Sequence, residues 1–261
     1  MITKILKTLL IFCILFSVIL FLPVFLFSQD KSNTDENTNH NIGTTNDDYA
    51  ETNSLNIKIV SVNDVKKLMS EKFKTISDYT ANFEWINGDA HYKGKIEYKK
   101  PDKILLEFEE PKDQKIVSDG KILYIYLPSL KVVVTQTLSE GTESEILTTQ
   151  SEKGLYKLFN EYAFSFYDKS TLQKFNDTMA YHLKLFQKQP KVGFKKMDIW
   201  VSKEGLILQS NGVSPNGLNV SLTFSNIKLN TEVPDYIFDF EIPADAQVIR
   251  NIIVPFSEKQ R

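Results

Sequence analysis

A run of short β-patterned segments separated by turn signals is the feature that most constrains the fold. Between Gly94 and Val134 the segments are rich in Ile, Val, Tyr and Phe, and each break carries a Pro or an Asp-Gly pair. Segments this close in sequence pair most simply with their neighbours, so the stretch predicts an antiparallel meander. The breaks are Lys100-Pro101-Asp102, Glu110-Pro111-Lys112, Ser118-Asp119-Gly120 and Pro128-Ser129-Leu130.

The first 54 residues indicate export rather than a folded core. Lys4 and Lys7 precede an almost continuously apolar segment, Leu9–Phe27, which is long enough to cross a bilayer and ends at a poor cleavage site. Residues 1–28 are therefore expected to be either a signal peptide or a retained membrane anchor, and both alternatives stay open. Residues 29–54 are mostly Asn, Thr, Asp and Ser, which predicts a disordered polar tether.

Residues 55–261 are expected to fold as one domain. Ser61–Phe73 and Ser151–Asn160 have helical spacing, and Ser61 with Asp64 resembles a capping box. Tyr162–Tyr167 fits a helix or a strand equally well. Alternating or β-branched patterns continue before and after the meander, so the sequence predicts a mainly β (α+β) fold, an open and incomplete antiparallel barrel packed around two or three helices. The further predicted strands are Ile76–Asn87, His91–Lys99, Tyr181–Lys188, Met197–Val201, Leu206–Gln209, Leu218–Ile227 and Val248–Val254.

Composition excludes several classes of function. The net charge of -2 gives no basic field for nucleic acid, while the 42% hydrophobic content supports a large core. Cys13 is the only cysteine and lies inside the apolar segment, so the exported part has no disulfide. His40, His91 and His182 show no metal-ligand spacing, and there is no Gly-x-Ser-x-Gly or P-loop motif. We therefore expect no metal, no cofactor and no catalysis.

Several short motifs follow one another in a fixed order over residues 57–252. They are Phe73–Phe83 after the first helix, Gly94-Lys95-Ile96, Lys100–Asp102, Ile116–Tyr126, Ile199–Val201, Leu206–Gln209, Ser225–Asn230 and Phe238–Pro243. In this order the motifs resemble the LolA family of periplasmic lipoprotein carriers, which shares its fold with the LolB receptor and the RseB regulator.

The resemblance implies a half-barrel whose helices form a lid over an apolar cavity for the acyl chains of lipoproteins. It further implies a monomer in the periplasm that takes cargo from an inner-membrane lipoprotein-releasing ABC transporter and passes it to an outer-membrane receptor. A membrane-tethered regulator that senses lipids or lipoproteins with the same fold is the alternative, since the apolar segment and tether would suit it. A lipid hydrolase is a third possibility, but no nucleophile–base pair is visible in the sequence.

Eight residues on the inward faces of the predicted strands are candidates for lining the cavity. Burial of each CH₂ is worth about 0.8 kcal/mol, so a lipid carrier needs an unusually apolar interior. Lys121–Leu127, which is apolar on both faces, matches that expectation. Ordinary core packing under helices explains the same patterns, and the two interpretations stay open. The candidates are Phe83, Trp85, Ile96, Tyr98, Ile104, Leu106, Phe108 and Ile116.

Lys100 is the candidate for holding the lid. Where family members often carry an inward-pointing Arg that hydrogen-bonds the lid backbone, this sequence has Lys100 before Pro101. Lysine lacks the planar donor fork of arginine, so we expect a weaker lock or none. A solvated lysine at a strand end is the alternative.

Overall fold

The computed structural model describes residues 60–138, 152–189, 194–214 and 217–250. The predicted signal peptide or anchor and the polar tether lie outside the described residues. They remain predictions. Within the described ranges, no helix is long and apolar enough to cross a membrane.

The described chain contains two α-helices, two short 3₁₀ turns and thirteen strands. The helices are α1 (Val62–Lys74) and α2 (Glu152–Glu161), and the 3₁₀ turns are Pro128–Leu130 and Asp235–Phe238. The strands are β1 (Asp78–Asn87), β2 (Ala90–Lys99), β3 (Lys103–Glu110), β4 (Lys115–Ser118), β5 (Ile122–Leu127), β6 (Val132–Thr137), β7 (Tyr162–Phe166), β8 (Gln173–Phe175), β9 (Thr178–Gln187), β10 (Lys196–Ser202), β11 (Ile207–Val213), β12 (Asn219–Leu229) and β13 (Gln247–Arg250).

All thirteen strands belong to one sheet, in the order β13-β6-β5-β4-β3-β2-β1-β12-β11-β10-β9-β7, with β8 paired to β9 beside this path. Every pairing is antiparallel except that of β13 with β6. In the described residues no pairing joins β7 to β13, so the sheet is open. The predicted mainly β fold with an open antiparallel sheet is confirmed, including the meander from β2 to β6.

Some element boundaries differ from the predicted ones. The first strand begins at Asp78 rather than Ile76, because the amides of Thr75 and Ile76 bond to carbonyls in the last turn of α1. Tyr162–Tyr167, which fitted either helix or strand, forms β7 by pairing with β9. The short strand β8 was not predicted. The end of the predicted strand Val248–Val254 lies outside the described residues.

Helix α1 begins where its sequence predicts. The Ser61 hydroxyl accepts from the amide of Asp64 at 3.1 Å, and the Asp64 carboxylate accepts from the amide of Ser61 at 2.9 Å. This reciprocal pair is the predicted capping box. Val65, Met69 and Phe73 are spaced by four residues, so their side chains share the face that packs into the core.

The two faces of the sheet are covered by different parts of the chain. The inner face packs against α1 and α2 and forms the main core. The outer face of β3 to β5 is covered by residues 231–246, here called the strap, which connects β12 to β13. Phe238 of the strap is fully buried in a second apolar cluster with Leu105, Val117 and Val233.

The strap explains why β5 is apolar on both faces. Leu123, Ile125 and Leu127 are buried in the inner face. On the outer face, the rings of Tyr124 and Tyr126 lie 5.3 and 5.9 Å from the ring of Phe240 in the strap. The second apolar face of Lys121–Leu127 is therefore occupied by the protein's own chain, and it is no sign of lipid binding.

Candidate functional site

The eight predicted lining residues all lie in the main core cluster under the helices. Strand register connects them: Ile96 pairs with Leu106, and Leu106 pairs with Ile116. The same row continues through Ile125 to Val134, so one apolar line crosses β2 to β6. All eight side chains are at least nine-tenths buried. The structure thus brings the predicted residues together on one face.

An aromatic group occupies the part of this face far from the C-terminal end of α1. The rings of Phe83 and Phe108 meet edge to face at 5.2 Å, and Trp85 stacks on Tyr92 at 4.7 Å. Gly94 lies between Phe83 and Phe108 in the strand register, so the two rings meet where a side chain is missing. A Cβ on Gly94 would lie 2.0 Å from the carbonyl oxygen of Glu107. Tyr92 was not predicted, although its alternation with Gly94 and Ile96 is a signal that could have found it.

A small apolar cleft of about 10 Å³ lies near the other end of β1. This volume suits one water molecule and is far too small for an acyl chain, so any such ligand requires the elements around the cleft to move. Seven residues from α1's connection to β1, from β1, from β12 and from the β10–β11 turn line the cleft: Ile76, Tyr79, Ala81, Leu206, Phe224, Ile227 and Leu229.

A β-bulge explains why the β12 part of this lining was not predicted. The β1–β12 register shifts between Thr80 and Asn82, and Asn226 on β12 has a φ of 52°. The extra residue changes which side chains face inward, from Phe224 before the bulge to Ile227 and Leu229 after it. A prediction that assumes strict alternation of inward and outward residues along the strand cannot detect such a change.

Lys100 contacts α1 directly. Its Nζ lies 3.1 Å from the carbonyl oxygen of Phe73 and 3.5 Å from that of Lys74, in the last turn of α1. The Phe73 carbonyl also accepts from the amide of Ile76 at 3.3 Å. Both carbonyls lie at the negative dipole end of the helix, so a cation is favourable there. The side chain is half-buried, unlike a solvated strand-end lysine. The contact is present, and its role as a lock stays a prediction.

Asn230 and Asp78 fix the connection that follows α1. The Asn230 amide donates to the carbonyl of Thr75 at 3.0 Å and accepts from the amide of Ser77 at 2.8 Å. Asp78 is buried, which raises its pKa, but the backbone amide of Thr231 at 2.7 Å and the hydroxyls of Ser77 and Thr231 favour its charged form. The net effect is a lowered pKa for Asp78.

Two further contacts position α1 along its length. The Nζ of Lys66 lies 4.8 Å from the ring centre of Phe159 in α2 and 5.3 Å from that of Phe164 in β7. On another side, Gly205 of the β10–β11 turn approaches so closely that a Cβ there would lie 2.7 Å from the carbonyl oxygen of Leu68. The helix is therefore held by polar and steric contacts at its edges and by apolar packing beneath.

The described residues contain no group of three potential metal-ligating side chains. His91 lies 2.6 Å from a carboxylate oxygen of Glu84 on the neighbouring strand. His182 lies 2.9 Å from a carboxylate oxygen of Asp198 and is stacked between the rings of Tyr167 and Trp200 at 4.1 and 4.0 Å. These contacts give both described histidines a structural role on the sheet.

The fold and the candidate site together define the class of this protein. It is a mainly β protein with one open, largely antiparallel sheet, and helices cover the apolar inner face of that sheet. The model of the family described as "Outer membrane lipoprotein carrier protein LolA" matches residues 74–241, and the chain belongs to this family.

Individual relatives agree with this assignment. The chain is 24% identical over 175 residues to an outer-membrane lipoprotein carrier protein of Actinobacillus succinogenes, covering 66% of this chain and 76% of that protein. It is 26% identical over 198 residues to one of Pseudomonas putida, covering 72% and 86%. An uncharacterised conserved protein of Thermus thermophilus has a similar fold, with a TM-score of 0.50 at 13% identity over 72% of this chain and 98% of that one.

Proposed function

We propose that this protein is a periplasmic carrier that binds the acyl chains of lipoproteins between α1 and the inner face of the sheet. The observation that carries the proposal is the continuous buried apolar face of β1 to β6, which lies under a helix held at its edges by a small number of contacts. The carrier names of the relatives support the same function. In this proposal the eight inward-facing residues contact the acyl chains.

The energetics require an exchange of contacts rather than an open cavity. An acyl chain of about 16 carbons is worth on the order of 13 kcal/mol of gross transfer free energy, at about 0.8 kcal/mol for each CH₂. In the structure the apolar face is instead covered by Val65, Met69 and Phe73 of α1. When α1 moves aside, the acyl chain replaces these side chains on the sheet. The apolar contacts that are lost and gained offset each other, so both uptake and release of the chain are energetically accessible.

The partners follow from this function. An inner-membrane lipoprotein-releasing ABC transporter would supply the acylated cargo, and an outer-membrane receptor would accept it. The protein would act as a monomer, without a cofactor and without catalysis, because shuttling breaks no covalent bond. Leu9–Phe27 would direct export as a signal peptide.

Isolation of the protein with its cargo tests the proposal. The full chain is expressed in a bacterium, purified separately from periplasm and membranes, and analysed by native mass spectrometry for acylated lipoproteins. The proposal expects bound lipoprotein and, after cargo removal, saturable binding of a fluorescent fatty-acyl probe. Protein that carries no lipoprotein and fails to bind the probe contradicts it. N-terminal sequencing of the same samples distinguishes the carrier from the tethered regulator, for which Leu9–Phe27 must be retained.

A further inference from the structure

The hydroxyl of Tyr79 is buried without a hydrogen-bond partner. The side chain is 4% exposed, and its oxygen contacts neither solvent nor any donor or acceptor of the described residues. Burial, with a smaller contribution from Tyr98, raises the pKa of this phenol, so it keeps its proton and can donate. Native proteins rarely leave such a group unpaired, and each case calls for an explanation.

Neighbouring tyrosines show that this core can satisfy a phenol. Tyr98 stacks on Tyr79 at 5.2 Å, and its hydroxyl donates to the carbonyl of Pro101 at 2.9 Å. The hydroxyl of Tyr162 donates to the carbonyl of Phe194 at 2.9 Å. Phenylalanine at position 79 would fill the core equally well without an unpaired oxygen. The hydroxyl of Tyr79 is therefore unexplained by packing.

Tyr79 lines the cleft beside α1 with its ring, and the surface that the seven lining residues expose to the cleft is wholly apolar. A water in the cleft does not account for the hydroxyl, because a buried water needs two to four polar partners and this lining exposes none. The group that completes this hydrogen bond must bring its own acceptor into an apolar space.

Building on the proposed carrier function, we propose that Tyr79 donates a hydrogen bond to the ester carbonyl of a bound acyl chain. The carbonyl of an O-acyl ester lies at the head of its hydrocarbon chain, so it can enter an apolar site together with that chain. With α1 moved aside, as in the proposed carrier function, and the carbonyl at the Tyr79 hydroxyl, the chain would extend along β1 past Ala81 toward Phe83, on the face formed by the predicted residues. The site would then distinguish acyl esters from hydrocarbon chains lacking a carbonyl.

The test compares two ligands that differ in one carbonyl group. A fluorescent fatty-acyl probe bound to the cargo-free protein is displaced by 1-palmitoylglycerol, an ester, or by 1-O-hexadecylglycerol, the matching ether. One hydrogen bond predicts that the ester binds about fivefold more tightly, which corresponds to about 1 kcal/mol. Tyr79→Phe should abolish this preference, so that ester and ether bind about equally, and should leave the affinity for the ether unchanged. Tyr162→Phe is the control and should keep the preference, since its hydroxyl already bonds to the carbonyl of Phe194.

The stability of the cargo-free variants gives a second measurement. Tyr79→Phe removes an unpaired hydroxyl and should leave the Tm unchanged or raised, whereas Tyr162→Phe removes a paired one and should lower it. If the wild type binds ester and ether equally, or if Tyr79→Phe keeps the preference, the inference is overturned while the carrier function stands. If neither ligand nor the probe binds the wild type, the carrier function itself is contradicted.

Discussion

Lys100 connects the sheet to the last turn of α1 through the carbonyls of Phe73 and Lys74. We propose that this contact keeps the cargo-free carrier closed. Lys100→Leu removes a charge-assisted donor at a half-buried position and should lower the free energy of unfolding by about 1 kcal/mol. Hydrogen exchange at the last turn of α1 should accelerate, and so should uptake of an acyl probe.

The neighbouring Lys99 provides a matched control for this prediction. Its Nζ donates to the carbonyl of Val233 at 2.8 Å and pairs with Asp235, both in the strap. Lys99→Leu should leave exchange in α1 unchanged, because the strap lies on the opposite face. If Lys100→Leu also leaves α1 exchange and probe uptake unchanged, Lys100 has no role in closing the lid.

Asp78 makes the free energy of unfolding depend on pH in the acidic range. Its folded-state pKa lies below the usual value near 3.9, so its stabilising contribution is present above about pH 4 and is lost as the pH falls through the folded-state pKa. Denaturant unfolding measured between pH 6 and pH 2 should show a shallower loss of stability below pH 4 for Asp78→Asn than for the wild type. Superimposable pH profiles would exclude this contribution.

At the scale of elements, the position of α1 depends on the turn between β10 and β11. Gly205 has a φ of 94°, and a Cβ there would meet the backbone of Leu68. Gly205→Ala should therefore lower the free energy of unfolding through both backbone strain and a steric clash, by about 2–3 kcal/mol. Denaturant unfolding measures the loss.

Gly217 separates the two causes of that loss. It has a similar φ of 83°, but no other part of the described residues lies within 4 Å of the position that its Cβ would occupy. Gly217→Ala should cost only the backbone term, about 1 kcal/mol. Equal losses in the two variants would mean that the close approach of the turn to α1 contributes nothing to stability.

How much was predictable from sequence also differs between elements. The capping box of α1 and the inward faces of β1 to β4 follow from local spacing, and the eight predicted residues do share one face. The lining of the cleft was missed because the bulge at Asn226 changes the inward set and because β1 pairs with β12 far along the chain. The cover on the outer face of β5 was missed for a similar reason, since Phe240 reaches Tyr124 from more than 100 residues away.

At the scale of the whole molecule, we expect the strap to contribute to stability but not to the proposed lipid binding. Phe238 is fully buried on the outer face, so Phe238→Ala should lower the free energy of unfolding by about 3–5 kcal/mol. Acyl-probe affinity of the folded variant should be unchanged, because the inner face is untouched. Tyr236, in the same 3₁₀ turn, is 73% exposed, and Tyr236→Ala should change stability by no more than about 0.5 kcal/mol.

Denaturant unfolding and probe titration of both variants test this division. A Phe238→Ala variant that remains folded but loses the probe would show that the two faces of the sheet are coupled. A Tyr236→Ala variant as unstable as Phe238→Ala would show that burial in the outer cluster is not what makes the strap stabilising.

The pairing of β1 with β12 has a consequence for the nascent chain. About 80 residues separate the end of β6 from the start of β12, and at about 5–20 residues per second a ribosome needs roughly 4–16 s to make them. Throughout that time β1 has an unpaired edge and an apolar face, the features that lead to aggregation. A chaperone that holds the chain unfolded until its C-terminal third has been synthesised would protect it from aggregation.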